Sequence, residues 1–171
     1  MDALVRRARP GDGEAMSRIF DQAARAASTH FLPARGLAEL DTPPERWERD
    51  IAAEGVDALV AEHDNQVVAF AVVRPTQDPD GDPAHTGELD TFYALPSVWG
   101  LGVGRTLMGH ALEALRARGF EEATLWTAEE NRRSRRVYEA AGWRLDAGRR
   151  QKTFIGVEFR ELRYRIGLAG R

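Results

Sequence analysis

Carboxylates, glycines and one arginine lie close together between Glu88 and Thr106, in the order Glu-Leu-Asp-Thr-Phe-Tyr-Ala-Leu-Pro-Ser-Val-Trp-Gly-Leu-Gly-Val-Gly-Arg-Thr. Alternation from Glu88 onward predicts a strand with Leu89, Thr91 and Tyr93 on one face and Glu88, Asp90 and Phe92 on the other. Pro96 has no N–H to give a sheet ladder and ends it. Gly100, Gly102 and Gly104 follow, and then Leu107, Met108, Ala111, Leu112 and Leu115 share one helical face. A strand, a glycine-rich turn and a helix N-terminus together offer backbone N–H groups and a positive dipole end to an anion. Spacing does not name the anion, and a tight turn with no ligand uses glycine in the same way. Two nucleotide patterns fit poorly. A P-loop requires Gly-Lys-Ser/Thr where this chain has Gly104-Arg105-Thr106. A dinucleotide fingerprint sets its glycines tight against the strand, with the third one residue later.

A second group runs from Asn131 to Trp143. Asn131 is placed to cap a helix, and Tyr138 lies two turns further along the same face. An inward tyrosine of this kind usually belongs to the core. Arg132, Arg133, Arg135 and Arg136 crowd the first turns, where each cation opposes the helix dipole by a few tenths to about 1 kcal/mol. An anion alongside would offset that, so at least one of these arginines is expected to meet one; solvation of long side chains explains the others. His30, His63, His85 and His110 show no metal-ligand spacing, and no metal site is expected.

Composition narrows the classes. The 171 residues are enough for one domain with a core, and a formal net charge of -3 gives no general attraction to nucleic acid or acidic membranes. No cysteine is present, which excludes disulfides, a thiolate zinc site and a cysteine nucleophile. No apolar run reaches membrane-spanning length and the N-terminus has no signal-peptide core, so a cytoplasmic protein is the expectation.

The elements that must position these groups read in order. Residues 3–9 form a strand. Asp12 caps a helix ending near Ser28. Thr29–Leu40 is aperiodic, helix or loop. Thr42-Pro43-Pro44-Glu45 reads as a capping box that starts a helix at Pro43, closed by Gly55. Asp57–His63 and Gln66–Arg74 make a hairpin about Asp64-Asn65. Pro75–Gly87 is a flexible acidic loop. After the central helix, Gly119 is a C-cap and Ala123–Ala128 a strand, completing a βαβ unit with a parallel pair. A helix from Asn131 to Gly142, a strand from Trp143 and a last strand Val157–Ile166 follow. Val157 and Phe159 differ in parity from Leu162, Tyr164 and Ile166, which suggests a bulge near Arg160-Glu161.

Pro96-Ser97-Val98-Trp99-Gly100-Leu101-Gly102-Val103-Gly104 resembles the acyl-CoA loop of the GNAT superfamily of N-acetyltransferases, with Trp99 where that family has Arg or Gln. The run from Asn131 through Tyr138 to Trp143 is similar to the family's Asn-x-x-Ala/Ser-x-x-x-Tyr-x-x-x-Gly-Phe, and the order β-α-α-β-β-β-α-β-α-β-β is the family's. The resemblance implies an α/β fold. One GNAT-like domain over residues 1–171 would have a mixed sheet of six or seven strands and about four helices. It implies acetyl-CoA as cosubstrate, held by Trp99, Gly100, Leu101, Gly102, Val103, Gly104, Arg105 and Thr106 with Asn131 and Arg133. It further implies a bulge that turns a main-chain N–H of Phe92, Tyr93 or Ala94 to the acetyl oxygen, and Tyr138 as proton donor to the leaving thiolate. The acceptor is then a small-molecule or peptide amine, with no nucleic acid or membrane partner, and a homodimer is compatible. An amine with a lysine-like pKa near 10.4 is under about a thousandth neutral at pH 7. A base is therefore useful, and Glu88, Asp90 or a water are the candidates, provided burial raises the carboxylate's pKa. Asp78, Asp80 and Asp82, with Glu39, Asp41, Glu45 and Glu48, suggest a cationic acceptor. A non-catalytic acyl-CoA-binding domain is the alternative, and a nucleotide-dependent enzyme a distant third.

Overall fold

The β-rich runs of the sequence join into one sheet. In the computed structural model, which describes residues 2–168 and 170, the strands are β1 (Leu4–Arg7), β2 (Asp57–His63), β3 (Gln66–Pro75), β4 (Thr86–Ala94), β5 (Glu122–Ala128), β6 (Arg144–Phe154) and β7 (Val157–Gly167). Their spatial order is β1-β2-β3-β4-β5-β7-β6. Every neighbouring pair is antiparallel except β4–β5. The hairpin between β2 and β3 turns at Asp64 and Asn65 with φ of 49° and 61°, left-handed values that these two side chains tolerate.

Helices cover both faces. On one lie α1 (Gly13–Ala27), α2 (Ala34–Ala38) and α3 (Glu45–Ala52); on the other lie α4 (Val103–Ala117) and α5 (Arg132–Ala140). The first side buries Met16, Ile19 and Trp47 against Val60, Phe70 and Val72. The second buries Val103, Leu107, Ala111 and Leu115 against Ala69, Ala71, Leu89 and Leu125. This is the expected mixed α/β sheet, with seven strands and one helix more than the four anticipated. The extra helix is α2, inside the stretch that periodicity left open.

Several local expectations change. The capping box does not form: the Thr42 hydroxyl donates to Asp21 Oδ1 at 2.6 Å, and α3 begins at Glu45 with no side-chain cap. Asp12 sits at the N-cap of α1, but its carboxylate accepts from Arg6 and from the Arg9 N–H. The Gly11 and Gly13 N–H groups are satisfied by Glu48 of α3, at 2.9 and 2.8 Å. No bulge occurs at Arg160-Glu161, since β7 pairs with β5 without interruption from Gly167 to Glu161. The parity change has another cause. Leu162 and Tyr164 pack under α4 and α5, while Val157 and Phe159 face the opposite cluster around Leu32 and Leu37. The irregular register lies in β6, between Leu145 and Arg149.

One glycine is fixed by packing alone. Gly87 pairs with Ala123 at the parallel seam, and a Cβ there would lie 2.4 Å from Leu115 Cδ2 and 2.7 Å from Phe120 Cδ2. Overpacking of this kind costs about 1–3 kcal/mol. Gly87→Ala is therefore expected to lower the melting temperature by roughly 3 to 10 °C at this chain length. Thermal unfolding followed by circular dichroism checks it, and an unchanged midpoint would mean that both side chains give way freely.

Candidate active site

The parallel pair β4–β5 is short. Thr86, Gly87 and Glu88 pair with Glu122, Ala123 and Thr124, and beyond them the strands part. β4 continues on β3 as far as Ala94, and β5 continues on β7 as far as Ala128. A wedge therefore opens in the middle of the sheet. β4 also carries a bulge, but at Asp90: Val73 pairs with Leu89 and Val72 with Thr91, which leaves Asp90 without a partner. The bulge expected at Phe92–Ala94 is thus displaced towards the start of the strand. The extra residue breaks the simple alternation, so Leu89, Phe92 and Ala94 face α4 while Tyr93 faces α1 and α3.

The ladder shows which backbone groups face the wedge. Leu95 N–H bonds Val68 O at 2.9 Å. In an antiparallel pair alternate residues bond the same neighbour, so Tyr93 also points to β3, and Phe92 and Ala94 point the other way. Of the three expected donors, Phe92 and Ala94 have N–H groups aimed into the wedge and Tyr93 does not.

At the open end the chain turns through a 3₁₀ segment (Pro96–Val98) into α4. Gly100 and Gly102 have φ of 78° and 91°, left-handed values that a side chain would strain. Gly102 is the N-cap and no side chain caps the helix. Thr106 N–H makes the first return bond, to Gly102 O at 3.1 Å. The N–H groups of Val103, Gly104 and Arg105 consequently have no intrahelical partner. Arg105 adds a charge beside them. By contrast, Asn131 caps α5 by accepting from Ser134 N–H at 3.1 Å.

Trp99 stands between these two helix ends. Its indole N–H donates to Ala94 O at 2.9 Å, and the Arg133 guanidinium lies 3.9 Å from its ring centroid. The tryptophan carries no charge of its own, yet it holds a cation over the mouth of the wedge. The other arginines of α5 differ. Arg135 donates to the Tyr164 hydroxyl at 3.0 Å and to Glu129 O, a structural role, while Arg132 and Arg136 border a cleft of about 210 Å³ with Glu139.

The two candidate bases separate clearly. Asp90 is exposed and bound by Arg74 at 3.2 Å, and Arg74 also holds Asp50 of α3 at 2.8 Å. Glu88 is 5 % exposed, at the vertex of the wedge, and its Oε2 accepts the Gln77 N–H at 3.2 Å. Burial pushes its pKa up, with Asp90 and Asp78 adding to the rise, against the Gln77 bond and Arg150. Glu88 thus meets the requirement set for a useful carboxylate base.

Tyr138 reaches the wedge from α5. Its ring lies 6.2 Å from Phe92 and 6.4 Å from Tyr164. Among the described residues its hydroxyl has no hydrogen-bond partner. Burial raises its pKa, with a smaller contribution from Tyr93 across the sheet. Tyr93 is pushed up to about 12 by burial and by Glu161.

The acidic loop is tied to the sheet through its carboxylates. Asp78 and Asp80 are both bound by Arg163, a β7 residue that the sequence analysis did not single out. Asp82 accepts the Ala84 N–H, and His85 is drawn to Glu121 at 3.3 Å. Glu39 pairs with Arg35. Trp99 and Arg133 are expected at the site from the sequence, but their stacking on each other is not; Arg163 carries only the signal of an arginine on a regular strand, too common to single it out.

Residues 18–143 match the family model described as the Acetyltransferase (GNAT) family. An uncharacterized N-acetyltransferase from Archaeoglobus fulgidus is 32% identical over 93 residues, which cover 54% of this chain and 62% of that protein. A mycothiol acetyltransferase from Frankia alni is 36% identical over 122 residues, 63% of this chain and 37% of that protein. The chain thus spans less than two thirds of either relative. PaiA N-acetyltransferase from Thermoplasma acidophilum, solved with coenzyme A, superimposes with a TM-score of 0.79 at 14% identity, over 98% of this chain and 99% of its own. That likeness is one of fold, and it extends over nearly every element described above. With the glycine loop, the wedge and the family match over most of its length, this chain belongs to the GNAT acetyltransferase family.

Proposed function

We propose that the protein transfers an acetyl group from acetyl-CoA to a primary amine, on a small molecule or a peptide, by direct attack within a ternary complex. The observation that carries this reading is the wedge itself, with uncapped helix N–H groups at its mouth and a buried carboxylate at its vertex. The donor set suits the cosubstrate. Val103, Gly104 and Arg105 N–H, Arg105 and Arg133 supply donors and cations for a pyrophosphate. The inward backbone groups of Phe92 and Ala94 suit an amide-bearing arm. The thioester supplies an activated acyl carbon and a good leaving group.

Within that frame each residue has one task. Glu88 takes a proton from the ammonium form of the acceptor, or from the attacking nitrogen as the N–C bond forms. A Phe92 or Ala94 N–H donates to the acetyl oxygen as negative charge grows there. Tyr138 donates a hydrogen bond to the sulfur as the C–S bond breaks. A cationic small-molecule acceptor loses the support of Asp78 and Asp80, which are bound to Arg163, and of Glu39, which pairs with Arg35. The proposal therefore extends to a primary amine and no further.

Thiol release from acetyl-CoA with a panel of amines tests the reaction directly. Tight acetyl-CoA binding with no thiol release from any amine would make the chain a non-catalytic acyl-CoA module. Gly102→Val is expected to weaken acetyl-CoA binding at least 10-fold while the fold survives. The Cβ at this position meets no protein atom within 4 Å, so the loss comes from a side chain set beside the donors and from the strain that φ of 91° puts on the turn that aims them. Calorimetry checks this, and parental affinity would remove the loop from the binding site.

Tyr138→Phe should lower kcat by about 10²-fold with little change in acetyl-CoA affinity, as expected for a contact made mainly in the transition state. An unchanged kcat would return Tyr138 to the core. Glu88 gives a pH dependence of defined sign. Below its pKa the carboxyl is protonated and accepts no proton, so kcat falls as pH drops. Because that pKa is raised, the fall is expected above the ordinary glutamate value of about 4.3. Glu88→Gln should abolish this acidic limb and reduce kcat by about 10²-fold. A limb that persists in Glu88→Gln belongs to another group.

A further inference from the structure

Arg163 on β7 makes five side-chain hydrogen bonds to carboxylates. It lies opposite Trp126 in the β5–β7 register and is 7% exposed. Its Nη1 donates to Asp78 Oδ2 at 3.1 Å and to Asp80 Oδ1 at 2.6 Å, and its Nη2 donates to Asp80 Oδ2 at 2.8 Å. Its Nε reaches both Asp146 oxygens, at 3.1 and 2.9 Å. One guanidinium therefore ties the loop between β3 and β4 to the irregular stretch of β6. Asp78 receives a second bond, from Trp126 Nε1 at 2.8 Å.

The anchored loop is also what seats Glu88. Thr76 N–H bonds Thr86 O at 2.9 Å, and Thr76 Oγ1 accepts the Asp78 N–H at 3.2 Å. Gln77 stands between these two fixed residues, and its N–H is the one that donates to Glu88. Arg163 and Trp126 are the side chains from outside the arch that hold Asp78, the residue next to Gln77; its other ties are the Asp80 pair with Arg163 and internal bonds such as Gly81 N–H to Asp78 O at 3.0 Å.

We propose that Arg163 is the positioning residue for Glu88, acting through Asp78 to fix the 76–82 arch that both donates the Gln77 N–H and keeps water from the carboxylate. The inference rests on Glu88 being the base. Arg163 touches no reacting atom in this scheme. The charged groups that face Glu88 are Asp90 on its own strand, Arg74 on β3, Asp78 from the arch, Arg150 from β6 and Arg163 from β7; β5 presents Thr124 and Trp126. Releasing the arch removes the Gln77 bond, which favours the carboxylate, and the burial, which disfavours it. Burial is the larger influence, so the net change is a fall towards the ordinary glutamate range.

The test uses Arg163→Lys, which keeps the charge and loses the fork, and Trp126→Phe, which alters no charge and leaves every ion pair in place. Glu88 is titrated by carboxyl NMR in protein labelled at glutamate, its signal assigned by its loss in Glu88→Gln. The acidic limb of kcat is measured in parallel. Both variants are expected to lower the Glu88 titration and the limb together, by about half a pH unit or more, with kcat down about 3- to 10-fold. A titration unmoved in both variants overturns the positioning role while Glu88 keeps its place as base. A titration that moves while the limb stays put overturns the base assignment, and the inference with it. If Arg163→Lys fails to fold, Arg163→Gln takes its place and is read in the same way, because Trp126→Phe leaves the Arg163 ion pairs standing.

Discussion

The site depends on one constraint, that a β-strand's backbone groups must be paired, hydrated or given to a ligand. β4 satisfies β3 along nearly its whole length but meets β5 at only three positions. The bulge at Asp90 is the local device for this. An extra residue on one strand bends it and strengthens its twist, so β4 turns away from a neighbour that runs straight along β7. A parallel pair opened in this way lies between two helix N-termini, because β4 leads into α4 and β5 leads into α5. Anion-binding donors and inward-facing strand amides therefore converge without any special sequence in the wedge, and most of the residues lining it act through their backbones.

The opening would be destabilising if its two walls were free to slide. Packing prevents that on the α4 side, where Leu107, Ala111 and Leu115 are fully buried. On the other side the walls are joined by charge. Arg163 and Arg165 of β7 reach carboxylates on the β3–β4 loop, on β5 and on β6. Buried ion clusters add little net stability compared with well-packed apolar groups, because desolvation offsets the attraction. Their strength is geometry. An arginine fork fixes the direction of each carboxylate it meets, and here it fixes a loop that has almost no apolar residue to pack. The carboxylates beside Glu88 have their own cations, Asp78 with Arg163 and Asp90 with Arg74, and its pKa is raised chiefly by burial and less by repulsion from them.

What was legible in the sequence followed local rules. Gly100 and Gly102 adopt the positive φ for which glycine is suited, Asn131 caps the helix it begins, and Asp64-Asn65 makes the turn expected of it. Those features depend on a few adjacent residues. The failures depend on partners far along the chain. Thr42 had the spacing of a capping residue, but Asp21 from α1 takes its hydroxyl. Periodicity placed Leu89 and Tyr93 on one face, and a single unpaired residue between them moved Tyr93 to the other. The parity change in β7 was real and misattributed: the strand is regular, and the helices that cover it change sides. Asp78 and Asp80 read as a solvated acidic loop because nothing nearby in sequence pairs with them. Their partner is on the last strand.

Tyr138 in the wedge and Tyr93 on the α1 and α3 side of β4 limit how protons can move near the site. Tyrosinate near pKa 10 is already a stronger base than a thiolate near 8.5, so full transfer from tyrosine to the departing sulfur is uphill by about 2 kcal/mol in water. Burial raises the Tyr138 pKa further, and Tyr93 is likewise pushed up to about 12. The apolar surroundings therefore make both phenols weaker acids and keep both neutral across the working range. A neutral phenol with no partner among the described residues is still a strong hydrogen-bond donor, and in a low-dielectric site that bond gains most as charge appears on its acceptor. In the proposed reaction Tyr138 would stabilise the thiolate by a bond that shortens as the C–S bond breaks, and the proton that finally neutralises the sulfur would come from solvent after release. Glu88 would complete the balance at the other end of the wedge. A carboxylate of raised pKa would hold the proton taken from the amine and return it to water when the product leaves.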